Sequence, residues 1–132
     1  MKLGKEGRAY ISGKVKSLLT GKDIELTFLI DPGSTSGQLP SVFIKALGSY
    51  HHTEAVGGSL GEELDRDFYE NIRVELPGVD LQGNSIALIA DSFIGEAVPG
   101  RGPVIGTNQL LAMKASLLLN YSSREFSLLR NF

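Results

Sequence analysis

The chain has 132 residues, enough for one domain with a modest core. Its formal charge of −2 gives no basic surface for nucleic acid or anionic lipid, and the lack of cysteine excludes disulfides, thiolate nucleophiles and cysteine-ligated zinc. Residues 1–13 carry charge without an apolar run behind it, unlike a secretory signal, and apolar stretches such as 86–90 are too short to cross a bilayer, so the expectation is a soluble, cytoplasmic protein with no membrane partner.

In chain order, residues 7–15 read as a first strand, with Tyr10, Ile11 and Val15 in it, and Thr20-Gly21-Lys22 turns it into a second. In that second strand Ile24, Leu26, Phe28 and Ile30 alternate with Glu25, Thr27 and Leu29, the period of two that turns one face toward a core. The pattern stops at Asp31. Pro32, Gly33 and Ser34 then force a turn and bring backbone and a hydroxyl close to the acid. A carboxylate at the end of a buried strand is costly unless something uses it. Residues 41–47 can form a short helical turn, with Val42, Phe43, Ile44 and Leu47 on one side and Gly48 ending it.

Residues 51–56 are extended again. Val56, Gly57, Gly58, Ser59, Leu60 and Gly61 then form a glycine-rich stretch that reads as a mobile hairpin tip, followed by the polar run 62–67. Residues 68–76 are a half-exposed strand ending at a Pro77-Gly78 turn; 81–84 is a further turn; and 85–90 is a continuous apolar strand suited to full burial, with Asp91 at its end. After the loop 99–103, Val104-Ile105-Gly106 leads into a helix over 108–114 that Thr107 or Asn108 can cap. Residues 117–129 form a last hairpin around Ser122-Ser123. The result is an all-β fold with one or two short helices, in a single domain over residues 1–132, and the Met1 start favours a whole protein over an excised piece. An apolar strand, an aspartate, a loop and a Leu-rich helical turn occur at 24–47 and again at 85–115, as two halves related by a rough twofold would give.

Other chemistry-bearing residues have plainer explanations. Asp91 lacks the glycine and hydroxyl that follow Asp31 and reads as a turn residue. Adjacent His51 and His52 point to opposite faces of a strand, with no third ligand at metal spacing, so no metal and no cofactor is expected. The acidic run Glu62, Glu63, Asp65 and Asp67 is a solvated hairpin arm that, beside a cleft, would favour basic substrates. Leu110, Leu111, Met113, Leu117 and Leu119 are core candidates.

Phe28-Leu29-Ile30-Asp31-Pro32-Gly33-Ser34 resembles the active-site loop of the retropepsin-like aspartic proteases: apolar residues, then Asp, Thr or Ser, Gly, and Ala or Ser. Val104-Ile105-Gly106 is similar to that family's second landmark, residues 56–61 resemble its glycine-rich flap, and 117–129 resemble its closing hairpin. Each motif alone is weak; four in the right order are moderately specific, and they cover the chain from Gly13 onward.

The resemblance implies a closed β-barrel-type acid protease fold and a homodimer, with Asp31 of each chain meeting across a twofold axis and a flap closing over an extended peptide or protein substrate. Two carboxylates in one site share a proton, so the ionised one activates water while the protonated one donates to the peptide carbonyl. One position departs from the family. Pro32 stands where a Thr or Ser bonds across the dimer axis, and it has neither the hydroxyl nor the N–H. Two functions therefore fit: a homodimeric aspartic endopeptidase acting through Asp31, or a non-catalytic dimerisation or peptide-binding module on the same fold.

Overall fold

The computed structural model describes the backbone of residues 1–47, 51–57 and 63–130, and the side chains of 1–47 and 67–130. A 3-10 turn at Lys5–Gly7 leads into β1 (Tyr10–Ser17), which pairs antiparallel with β2 (Asp23–Ile30). The chain continues through β3 (Gln38–Leu39), α1 (Ser41–Leu47), β4 (His51–Gly57), β5 (Glu63–Val79), β6 (Ser85–Glu96), β7 (Val104–Ile105), α2 (Thr107–Met113), β8 (Ala115–Asn120) and β9 (Glu125–Arg130). The fold is mostly β with two short helices, as the strand periodicities indicate.

Pairing runs from β1 to β2, β7, β3, β6 and β5, and β5 pairs again with β1, so the order closes on itself. The apolar face of each strand turns inward: Val15, Phe28, Leu39, Val74, Leu88 and Leu128 are fully enclosed. Burying one such side chain stabilises by roughly 1.5–3 kcal/mol, so this core rather than the surface ion pairs holds the sheet together.

The repeat in the sequence has a counterpart in the topology. β2, a loop, β3 and α1 are matched by β6, a loop, β7 and α2. Each long strand pairs in parallel with the other half's short one, β2 with β7 and β3 with β6, and the two short strands meet antiparallel at Gln38 and Val104. Backbone bonds follow the same exchange. Asp31 N–H donates to Ile105 O at 3.0 Å, and Ala97 N–H donates to Leu39 O at 2.8 Å. Ala97 is thus the second-half counterpart of Asp31, and it carries no acid.

Several local expectations are corrected. Pro77-Gly78 is not a turn; β5 runs through it to Val79 while paired with β6. β1 pairs with β5 only as far as Glu75, so Pro77 lies beyond that ladder, where its missing N–H is tolerated. Gly78 is there for space, since a Cβ would lie 2.6 Å from Leu88 Cδ1. Asp91 is not a turn residue but lies within β6, opposite Arg73, whose Nε and Nη2 reach its carboxylate at 2.6 and 2.8 Å.

Residues 86–90 are half-exposed rather than fully buried, with Leu88 and Ala90 inside and Ile89 outside. In α1 only Ile44 and Leu47 are buried, because a three-residue step keeps them on one face while Val42 points outward. Leu111 and Leu119 are exposed, whereas Met113 is in the core. A bulge between Tyr69 and Ile72, with Asn71 at positive φ, marks where β5 changes partner from β4 to β1.

Candidate active site

β2 delivers Asp31. Phe28 and Ile30 are buried on its core face, while Leu29 turns to the opposite side and lines a cleft of about 780 Å³ beside Asp31 and Pro32. The strand has to end there because Pro32 and Gly33 begin a turn, closed by Ser34 N–H donating to Asp31 O at 3.0 Å. Within that turn Gly33 N–H donates to Asp31 Oδ1 at 2.9 Å, and the Ser34 hydroxyl donates to Oδ2 at 2.9 Å. Of the loop residues singled out in the sequence, Gly33 and Ser34 bond the carboxylate, while Pro32 begins the turn.

A third partner arrives from sequence-distant chain. Arg101 Nη2 donates to Asp31 Oδ2 at 2.7 Å and to Ser34 Oγ at 3.0 Å, with both charged side chains about one-third exposed. Burial pushes the Asp31 carboxyl up, but the bonds from Ser34 and Gly33 and the adjacent Arg101 charge outweigh it and hold it below the ordinary aspartate value. In the sequence Arg101 is one residue of the loop 99–103. The available signal was an arginine between two glycines, immediately before the Val-Ile-Gly landmark.

Val104 and Ile105 form β7, and Gly106 precedes α2. Gly106, not Thr107 or Asn108, is the N-cap residue. Thr107 instead ties the helix to the acid loop: its N–H donates to Ser34 O at 2.8 Å and its hydroxyl lies 3.1 Å from both Pro32 O and Ser34 O. Asn108 N–H donates to Thr35 O, and Asn108 Oδ1 accepts from Gly37 N–H, both at 3.0 Å.

Gln109, fully buried, accepts from Gly106 N–H at 3.0 Å and donates to Ser92 Oγ at 3.2 Å and Phe93 O at 3.0 Å. Replacing it with Ala strands buried polar groups and leaves a cavity, for an expected loss of about 2–4 kcal/mol in urea unfolding. A loss below half a kcal/mol would show that this network does not anchor the loop.

Val56 and Gly57 lie in β4, opposite Leu64 and Glu63 of β5, so the expected hairpin arms are present. Gly58, Ser59, Leu60 and Gly61, the proposed tip, lie outside the described residues, as do the side chains of His51 and His52. Among the described residues no cluster of three or more His, Cys, Asp or Glu side chains forms a metal site, and no helix is long and apolar enough to cross a membrane.

An aspartate at the end of a strand, crossed parallel pairings between two similar halves and a glycine leading into a short helix together define a retropepsin-like fold. Among solved structures the chain is similar to EIAV protease complexed with the inhibitor HBY-793, at 17% identity and a TM-score of 0.50, over 90% of this chain and 100% of that one. At that identity the likeness is one of fold. No family model matches the chain, and no curated protein does.

Proposed function

We propose that the chain is an aspartic endopeptidase, active as a homodimer that brings together one Asp31 from each subunit. The observation that carries this proposal is the asymmetry between the halves: Asp31 is oriented by Gly33 and Ser34 beside a cleft, while its counterpart in the second half is Ala97. A peptidase mechanism of this type needs two carboxylates, and one chain supplies one at this position. The last hairpin offers a surface for pairing, since β8 is paired only with β9 among the described residues and exposes Leu118 and Leu119, with Tyr121 following. The closed order of strand pairing fits the barrel of such a fold.

In the dimer the two carboxylates share one proton, because both cannot ionise easily at close range. The ionised one takes a proton from water, and that water attacks the peptide carbonyl. The protonated one donates to the carbonyl oxygen, giving a tetrahedral intermediate; the carboxyl that took the water proton then passes it to the leaving nitrogen, and the C–N bond breaks with release of the amine. Gly33 N–H and the Ser34 hydroxyl would hold each carboxylate in its orientation. The β4–β5 hairpin would close over the peptide and exclude water.

The test is cleavage of a diverse peptide mixture, read by mass spectrometry from acid to neutral pH, on parent protein and on Asp31→Asn side by side. Cleavage lost in the variant supports the proposal; no cleavage by a protein that sediments as a dimer defeats it. The second function, a peptide-binding or dimerisation module, is favoured by one observation, the guanidinium of Arg101 on the carboxylate that would have to act.

Pro32 sets the strength of the dimer. Pro32→Thr restores a hydroxyl and an N–H per subunit, and gaining about 1 kcal/mol at each of two symmetric loops should lower the dimer dissociation constant by about tenfold or more. Sedimentation equilibrium measures it, and an unchanged constant would mean that the loops pair without those bonds.

A further inference from the structure

We propose that Arg101 selects the substrate: its guanidinium leaves Asp31 for a carboxylate side chain of the bound peptide beside the scissile bond, so that the site takes acidic peptides. This rests on the peptidase function above and names its substrate class. Three observations converge on it. The first is charge. Among the described residues the charged side chains lining the cleft are Arg8, Asp31 and Arg101, two cations against one acid, with Glu6 behind Arg8 at 3.8 Å. Once the acid belongs to a proton-sharing pair, Arg101 is the cation left beside the reacting bond, and an acidic side chain is what it attracts.

The second is how Arg101 is held. Both of its bonds are made by Nη2, the nitrogen common to the two forks of a guanidinium, so once it leaves Asp31 it can pair with Nε or Nη1 to grip a carboxylate through two parallel bonds, as Arg73 Nε and Nη2 grip Asp91. Its loop can follow the movement. A Cβ at Gly100 or Gly102 would meet nothing within 4 Å, and Gly100 has a positive φ of 84°, so glycines in open space flank the arginine on both sides.

The third is the chemistry itself. In a symmetric dimer a guanidinium at 2.7 Å from Oδ2 of each Asp31 favours the ionised form of both, which is incompatible with a carboxylate pair that must hold one proton. At least one of the two Arg101 side chains therefore has to move before turnover. Moving it to water forfeits its bonds to Asp31 and Ser34 with nothing gained; moving it to a substrate carboxylate replaces one ion pair by another. A peptide without an acid beside the scissile bond does not compensate for the ion pair that it breaks. The apolar side chains of Tyr10 and Leu29 beside the acid accommodate the rest of the peptide. The acidic run at 62–67 predicts the opposite preference from sequence, and the experiment separates the two.

The test uses peptides whose scissile amide is replaced by a reduced, uncleavable bond, in sets identical except for Glu, Gln or Lys at each residue flanking that bond. Titration calorimetry on the parent should give at least about tenfold tighter binding of a Glu peptide than of its Gln counterpart, the scale of one charge-assisted contact. In Arg101→Gln that ratio should fall to about one, in Arg101→Lys it should survive in part, and in Arg101→Glu the Lys peptide should become the preferred one. Urea unfolding checks that each variant is folded. Equal binding of Glu and Gln peptides by the parent, a ratio that survives in Arg101→Gln, or no binding at all overturns the proposal. The cleavable forms of the same peptides keep it distinct from the peptidase function: preference without cleavage defeats that function alone, and cleavage without preference defeats this proposal alone.

Discussion

Asp31→Asn is expected to lower peptide turnover by about 1,000-fold or more, within the range that positioned acid and base groups supply. The substitution keeps shape and removes charge. An Asn oxygen still accepts from Gly33 N–H, and an Asn amide in the place of Oδ2 still bonds to Ser34, whose hydroxyl rotates to accept. Arg101 has only donors to offer, so its place on the side chain is lost and the guanidinium turns outward. Folding stability should therefore change by no more than about 1 kcal/mol, because the pair that is lost is a partly exposed one. Loss of rate without loss of fold is the signature of a group that acts in the chemistry.

Mixing the variant with excess parent sharpens the result. Dimers with one Asp31 and one Asn hold a single carboxylate and should be inactive, so activity should fall as the square of the parent fraction. A linear fall would place complete sites in single chains, and turnover within tenfold of the parent in pure variant would remove Asp31 from the mechanism.

Why Asp31 was legible and Arg101 was not follows from the range of the forces involved. Phe28, Ile30 and Asp31 are neighbours in one strand, and a period of two that ends at a carboxylate and a Pro-Gly turn is a local signal. The same is true of α1, whose bounds the apolar spacing gives, and of the β8–β9 hairpin around Ser122-Ser123. Arg101 meets Asp31 across 70 residues, through a loop with no periodicity of its own. β3 and β7 have only two residues each and exist because the opposite half supplies their partners.

Pro77-Gly78 misleads for a related reason. The pair is a turn by local chemistry and a strand by tertiary context, since Leu88 occupies the space that a side chain at Gly78 would need. Ile89 and Leu111 show the remaining kind of error, in which hydrophobic identity stands in for burial although one face of the strand or helix points away from the core.

Gly106→Val should be the most damaging single change to the fold around the site, with Gly106→Ala showing the effect in milder form. A Cβ at this position would lie 2.5 Å from the Ser36 carbonyl carbon and 2.7 Å from Gly37 N. Those are backbone atoms, and they cannot yield separately. Gly37 N–H is bonded to Asn108 Oδ1, Gly37 O accepts from Gly95 N–H at 2.9 Å, and the preceding loop is tied to α2 through Thr107 and Asn108. Moving residues 36–37 therefore strains the junction between the two halves and drags the loop that carries Asp31. For alanine the cost should be at the upper end of the about 1–3 kcal/mol typical of overpacking, and the branched valine should exceed it.

Gly33 is the control in the acid loop itself. A Cβ there would meet only Asp31 Oδ1, at 3.1 Å, and its N–H would still be available to donate, so Gly33→Ala should cost much less stability than Gly106→Ala. Urea unfolding of the two alanine variants gives the comparison directly. If Gly33→Ala proves the more destabilising, the rigidity of the site originates within the acid loop rather than at its contact with α2. If Gly106→Ala does, the second-half glycine is what fixes the geometry of a carboxylate that belongs to the first half.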